Sequence, residues 1–257
     1  MFEAERLQKI AEYVQNKSRA SVQELCALFQ VSESTVRRDL TELENCKLLK
    51  RTHGGAVYLK SVGFEPTYFE KEDQYRNEKA LIAKKAAELI CEGDSLIIDA
   101  GTTTLYLASE LSRFKELTVV TNSILLLQQL SSVPGITLMS TGGTLRTNTM
   151  ALAGPAAEES LDRIHVDKAF MATNGFDCDV GLTTPNLTEA STKQKMISVA
   201  DQVFVLADHT KMDRVSFARF GSAADINGCI TGNKISDEQR ARFEKDNVKL
   251  YLVDIDG

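Results

Sequence analysis

Ser32-Glu33-Ser34-Thr35-Val36-Arg37-Arg38-Asp39-Leu40 reads as the opening of an amphipathic helix. On a 3.6-residue period Val36, Leu40 and Leu43 share one face, Ser34, Arg38 and Thr41 lie opposite, and Thr35 and Arg37 flank them. The first face packs and the second is left to meet a partner. Arginine's forked donor suits guanine edges and phosphates, and short hydroxyl side chains let a helix start approach a duplex closely. An arginine pair on a solvated face decides nothing alone; its neighbours do. Upstream, Ser21 to Glu24 form a capping box opening a helix striped by Val22, Leu25, Cys26 and Phe29. Gln30 and Val31 then turn the chain into Ser32, an N-cap for the next helix. Helix, tight turn and a second helix with a polar start is the helix-turn-helix pattern. Residues 49–58 follow as a hairpin turning on Gly54 and Gly55, a wing. Residues 5–15, with Leu7, Ile10 and Val14 in one stripe, add a first helix beneath it.

The remaining length places this unit in context. At 257 residues the chain has room for one small and one medium domain with real cores. Residues 1–58 hold nine basic and eight acidic side chains, whereas residues 59–257 hold twenty-one and twenty-eight; the whole chain carries a net charge of −6. Such a chain is no sequence-blind DNA coat, which needs a broad cationic surface. The five cysteines (Cys26, Cys46, Cys91, Cys178, Cys229) are scattered without a close pair, as expected of reduced structural thiols. With no signal pattern and no membrane-length apolar run, the expected location is the cytoplasm. His165 and His209 are too isolated for a metal site, and no cofactor fingerprint is present.

Residues 59–77 mix Gly63, Pro66 and many charges with Phe64, Tyr68 and Phe69, and read as a linker with apolar anchors. From Glu78 onward helix and strand alternate. Helices are expected from residue 78 to about 91, to about 111 and to about 131, and over 188–200. Strands are expected over 95–100, 117–122, 136–141, 168–173, 202–207, 226–231 and 249–253. This alternation means an α/β domain with a mainly parallel sheet covered on both faces.

Ligands of such sheets sit beyond the carboxyl ends of the strands. Those ends are small and polar here: Asp99 with Gly101, Thr102, Thr103 and Thr104; Thr121 with Asn122; Gly142 with Gly143; Asn174 with Gly175; Asp208 with Lys211. A glycine followed by three threonines at a helix start brings N–H groups and hydroxyls together, as a phosphate cradle does. It also serves as an N-cap and tight turn, and the residues alone leave both open. It is neither a Walker loop nor a dinucleotide fingerprint. Lys193, Lys195 and Lys211 are candidates to neutralise a phosphate, Lys193 and Lys211 gaining weight from position. Asp99, Asp177, Asp208 and Glu189 can accept ligand hydroxyls or act as bases, with Asp177 and Glu189 read as loop and cap carboxylates.

These residues together resemble the DeoR family of bacterial transcriptional regulators from end to end. The stretch from Ser32 to Leu40 and the wing residues Arg51, Thr52, His53, Gly54 and Gly55 look like the family signature. Asp99 with Gly101 to Thr104, Thr121 with Asn122, Gly142 with Gly143, Gly181 to Thr183, and Asp208 with Lys211 carry the C-terminal match. The resemblance implies an α/β architecture: a small winged helix-turn-helix domain over 1–58, a linker over 59–77, and an effector-binding, oligomerising domain over 78–257 of ribose-5-phosphate isomerase type. It implies repression of a sugar or polyol catabolic operon, with a phosphorylated sugar as effector and a homo-oligomer, dimer or tetramer, on double-stranded operator DNA. DNA contacts are then expected from Ser32, Ser34, Thr35, Arg37, Arg38, Arg51, Thr52 and His53. Effector contacts are expected from Asp99, Gly101, Thr102, Thr103, Thr104, Thr121, Asn122, Gly142, Gly143, Lys193, Asp208 and Lys211, with no catalytic residue, cofactor or metal. A sugar-phosphate isomerase or deaminase carrying a DNA-binding head is the competing reading; a complete helix-turn-helix with a wing weighs against it.

Overall fold

The computed structural model describes residues 3–17, 19–46, 48–58, 65–246 and 248–255, so the expected anchor Phe64 and Gly63 lie outside the described residues. The chain divides into two compact units, Met1–Ser61 and Val62–Gly257.

In the N-terminal unit α1 (Glu3–Lys17), β1 (Arg19–Ser21), α2 (Val22–Phe29), α3 (Glu33–Asn45), β2 (Leu49–Thr52) and β3 (Gly55–Tyr58) follow in order. Ser21 caps α2 in a full capping box with Glu24, and Ser32 accepts from Thr35 N to start α3; local side-chain chemistry sets both helix starts. Between them Gln30 closes α2 in the left-handed region. The stripes meet in one core of Ile10, Val14, Val22, Leu25, Val36, Leu40, Leu43 and Leu49. Asp39, fully buried, accepts from Arg6 at 2.6 and 3.0 Å and so ties α3 to α1.

The wing differs from the sequence expectation in two ways. It is three-stranded, in the order β1-β3-β2, since residues 19–21 add an antiparallel strand. The turn is His53 and Gly54, because Thr52 pairs with Gly55. Gly55 is a strand residue where a side chain is impossible: a Cβ there would lie 2.0 Å from the Ala20 carbonyl oxygen.

The C-terminal unit contains α4 (Tyr68–Glu72), α5 (Arg76–Ala87), β4 (Ser95–Ile98), α6 (Leu107–Leu111), β5 (Leu117–Thr121), α7 (Ile124–Leu130), β6 (Ile136–Ser140), β7 (Thr144–Arg146), β8 (Ala151–Ala153), α8 (Pro155–Leu161) and β9 (Val166–Ala172). It continues with β10 (Gly175–Asp177), β11 (Gly181–Thr184), α9 (Leu187–Ser198), β12 (Ala200–Leu206), β13 (Ala218–Gly221), β14 (Gly228–Gly232), α10 (Asp237–Lys245) and β15 (Leu250–Val253). Seven strands form one parallel sheet in the order β15-β14-β12-β9-β4-β5-β6. Its central strands are apolar on both faces, as burial between two helix layers requires. Ile97, Ala169, Met171, Val203, Val205 and Cys229 feed one core; Leu96, Ile98, Phe170, Phe204, Leu206 and Ile230 feed the other.

The expected strands are all present, with ends shifted by a residue or two. The short β10-β11-β13 sheet and the β7-β8 hairpin, with α4, α8 and α10, are additions. The stretch 59–77 read as a linker contains ordered structure: Thr67 and Glu70 make a capping box for α4, and Tyr68 is buried in the C-terminal unit. Among the described residues no helix is long and apolar enough to cross a membrane.

Candidate functional site

Each unit presents one candidate site. On the N-terminal unit α3 buries Val36, Asp39, Leu40 and Leu43, which turns Ser34, Arg37 and Arg38 outward and leaves Thr35 half-buried. Ser32 Oγ bonds the hydroxyls of Ser34 (2.8 Å) and Thr35 (2.9 Å), so the helix start is a fixed hydroxyl cluster. Among the described residues Arg37 and Arg38 have only loose, exposed carboxylate neighbours, Glu33 at 3.4 Å and Glu3 at 3.6 Å, pairs worth little in water and readily exchanged for a phosphate or base. Arg51 donates from Nη1 to Thr41 Oγ1 (2.6 Å), and its N–H donates to Glu44 (2.8 Å). The wing is thereby fastened to α3, with Thr52 and His53 exposed beside it. Thr41, expected on the reading face, serves this fastening and also donates to the Arg37 carbonyl at 2.8 Å.

On the C-terminal unit β5 and β6 extend to one side of β4 and β9, β12, β14 and β15 to the other. The sheet therefore changes direction between β4 and β9, where a parallel sheet opens a crevice at its carboxyl edge. A cleft lies there, with about 550 Å³ of empty space when the open solvent at its mouth is counted. Ala100 to Thr103 follow β4, Ala172 to Asn174 end β9, and Leu206 and Ala207 end β12. Glu189 and Lys193 come from α9, Tyr68 and Lys71 from α4, and Thr149 and Lys211 from loops. The loop after β4 hugs β9 so tightly that a Cβ on Gly101 would fall 2.5 Å from Ala172 Cβ.

Charge is unevenly matched in the cleft. Lys193 forms a buried ion pair with Asp99 and donates to the Ala172 carbonyl at 3.0 Å. Burial pushes the Asp99 carboxyl up, against the pull of that ammonium. Asp208 is also buried, which would raise it, yet the Lys211 ammonium at 3.6 Å and the Thr210 hydroxyl hold it below the usual range. Lys71 makes no ion pair among the described residues; burial and the nearby Lys211 bring it down to about 8. Lys79, buried behind it, donates to the Lys71 carbonyl at 2.5 Å and is likewise brought to about 8 by burial. Arg146 grips Glu65 with both nitrogens (3.0 and 2.6 Å) and meets Glu189 Oε1 at 2.6 Å.

Of the residues expected to bind an effector, Gly101, Thr102, Thr103, Lys193 and Lys211 line the cleft. Asp99 and Asp208 stand behind it as partners of the two lysines. Three others serve the scaffold. Thr104 turns inward, its hydroxyl donating to the carbonyls of Asp99 (2.6 Å) and Gly101 (3.1 Å). Thr121 donates to the Ile98 carbonyl at 2.6 Å. Asn122 accepts from Ala100 N at 2.7 Å and donates to Asp99 at 3.3 Å, which holds the loop after β4 in shape. Gly142 and Gly143 are exposed in the turn from β6 to β7, outside the cleft. The threonine run does not open an α-helix either: a 3-10 turn, Thr104–Tyr106, precedes the short α6. N–H groups of Thr102 and Thr103 meet no acceptor among the described residues.

Lys195 pairs with Asp162 on the other side of α9. Asp177 accepts from Asp179 N and Val180 N and meets Arg242, so it closes a hairpin as its loop position implied. Glu189, expected as a cap carboxylate, does not cap α9: Asn186 is the cap and accepts from Glu189 N at 3.1 Å, while Glu189 itself lines the cleft. Tyr68, Lys71, Thr149 and the supporting Arg146 escaped sequence reading. The capping box of Thr67 and Glu70 was the available signal for the first two; three-residue strands beside Arg146 and Thr149 leave no periodicity to read.

Comparison with known proteins places both units together. Residues 6–62 match the DeoR-like helix-turn-helix domain, and residues 74–233 match the DeoR C terminal sensor domain. The HTH-type transcriptional regulator GlpR of Haloferax volcanii is 40% identical over 250 residues, 97% of this chain and 98% of that one. The HTH-type transcriptional repressor GlcR of Bacillus subtilis is 34% identical over 263 residues, covering 100% of this chain and 98% of its own. Ribose 5-phosphate isomerase A of Methanocaldococcus jannaschii overlaps 52% of this chain and 53% of its own, at 17% identity and a TM-score of 0.38, a partial likeness that says nothing of activity. With a family helix-turn-helix at one end, a family sensor domain at the other and full-length relatives between 34 and 40% identical, this chain belongs to the DeoR family of transcriptional regulators.

Proposed function

We propose that this protein represses a sugar or polyol catabolic operon and that a phosphorylated sugar sets its grip on DNA. One observation carries the reading: Lys71, Lys193 and Lys211 converge with Thr102 and Thr103 in the cleft, and Lys71, though Glu189 and Glu65 act on it, forms no ion pair among the described residues. An ammonium in that setting favours a phosphate, whose oxygens also take the free N–H groups of Thr102 and Thr103. Full-length relatives named as regulators, one of them as a repressor, support the same reading.

On the operator Arg37, Arg51 and His53 hold the duplex backbone, with Ser32 and Thr52 framing the face, while Ser34, Thr35 and Arg38 reach base edges. One head covers a half-site, so a homo-oligomer built by the C-terminal unit supplies the second. The effector acts by binding one arrangement of the oligomer better than the other. The protein works in the cytoplasm, where operator and phosphorylated metabolites meet. The cleft serves sensing rather than turnover: Asp99 and Asp208 are spent on lysine and hydroxyl partners.

The test is thermal unfolding of the full chain against phosphorylated sugars and their unphosphorylated parents. Ligand at a hundred times its dissociation constant stabilises by about 2.7 kcal/mol, a rise of roughly 5 to 11 °C for a unit of this size. A rise with phosphorylated compounds alone, abolished in Lys71→Met, supports the reading. No rise with any of them, or steady turnover of one, overturns it.

A further inference from the structure

Glu189 is out of place in a cleft built for a phosphate. Its residue is 4% exposed, yet it lines the cleft together with three lysines. Oε1 is fully engaged, accepting from Thr149 Oγ1 and meeting Arg146 Nη1 at 2.6 Å. Oε2 accepts from no described residue. With Oε1 taken, Oε2 is the oxygen of this cleft-lining carboxylate left to accept a donor from a ligand. Lys193 and Lys211 keep Asp99 and Asp208 as their own partners, and Glu189 acts on Lys71 without forming an ion pair with it among the described residues; its charge is held by Arg146, itself clamped to Glu65.

From this arrangement, and resting on the function proposed above, we infer that Glu189 selects the effector's class: a monophosphate whose other end is an uncharged polyol or sugar. A ligand hydroxyl donates to Oε2 and completes the carboxylate's bonding. A ligand carboxylate or second phosphate has no proton to give at neutral pH and meets Oε2 as a like charge in a partly desolvated site, where repulsion is strong. The groups facing the same space are neutral and suit hydroxyls: Tyr68, which burial keeps protonated up to about 12, Thr149 and Asn174. The cleft is therefore bipolar, with cations for the phosphate and one anion that bars a second acidic group. Glu189 is a positioning and specificity residue with no covalent role.

Matched pairs of probes test this in the full chain by titration calorimetry: glucose 6-phosphate against 6-phosphogluconate, glycerol 3-phosphate against 3-phosphoglycerate, and fructose 6-phosphate against fructose 1,6-bisphosphate, with inorganic phosphate alongside. In the wild type the neutral-tailed member of the pair that binds is preferred at least tenfold. Glu189→Gln keeps size and bonding but removes the charge, and the preference falls below threefold. Glu189→Asp keeps the charge, and the acid-tailed members stay excluded even though the neutral ligand weakens. Because each ratio is taken within one variant, a loss of folding stability cancels. If Glu189→Gln leaves the ratio unchanged, or the acid-tailed members bind the wild type as well as their neutral partners, the inference is wrong while the phosphate site stands. If no probe binds, inorganic phosphate included, the proposed function falls and this inference with it.

Discussion

Removing the carboxylate of Asp39 should disable DNA binding without touching any residue that faces DNA. Asp39 is fully buried and holds Arg6, itself 7% exposed, through two bonds of 2.6 and 3.0 Å. Asp39→Ala leaves a guanidinium inside the N-terminal unit with no partner, a change that costs about 3 to 5 kcal/mol. A unit of some 60 residues has a stability of only about 3 to 9 kcal/mol, so most of the reserve goes. For a unit of this size its midpoint should fall by on the order of 12 to 40 °C. Hydrogen exchange on the full chain reads this directly. Amides of α1 and α3 should lose protection in Asp39→Ala, those of the seven-stranded sheet should keep theirs, and operator affinity should fall in parallel. The double variant Arg6→Met with Asp39→Leu removes both charges, and the N-terminal unit should recover to within roughly 2 kcal/mol of wild type, since apolar replacement of a buried pair is often neutral. If the single variant is as protected as wild type, or the double variant is no better than the single, the pair is not what ties α3 to α1.

Three further outcomes are expected. Arg38→Ala should weaken operator binding by about 1 to 3 kcal/mol and relax preference at one base position, while the thermal shift produced by a bound sugar phosphate stays as in wild type; anisotropy on a set of single-base operator variants checks it. Effector affinity should rise as pH passes about 6, where the phosphate takes its second charge, and fall as pH passes about 8, where ligand-free Lys71 loses its proton. Titration in buffers of different ionisation enthalpy should show net proton uptake on binding above pH 8, because the phosphate raises the lysine again; proton release there would contradict the sign. At pH 8 iodoacetamide should label the exposed Cys46 and Cys91 well before Cys178 and Cys229, whose thiols burial pushes up to about 12, as peptide mass spectrometry over time would show.

How much of this was legible in the chain depends on how local the cause is. The winged unit was readable because each helix start rests on a cap a few residues away, Ser21 with Glu24 and Ser32 with Thr35. The parallel strands were readable as apolar runs between polar ends. The short strands β7, β8, β10, β11 and β13 outside the parallel sheet were not, and neither was β1, whose pairing with β3 spans more than thirty residues. In the cleft, residue type misled where two uses share one chemistry. Thr103 faces the cleft, while its neighbour Thr104 bonds inward to the loop's own carbonyls. Asn122 and Asn174 both follow strands, and only the second lines the cleft. Lys71 and Arg146 were invisible for a different reason: they come from a five-residue helix and a three-residue strand outside the parallel sheet.

The position of α4 bears on how such regulators are recombined. A designer who exchanges heads between family members would cut where sequence reading ends the linker, after residue 77. That cut would carry away Tyr68, Lys71 and the Glu65 that steadies Arg146, and hand the hybrid a cleft with one wall from a stranger. The join belongs upstream of residue 65, so that the recipient keeps the short helix with the sheet it serves.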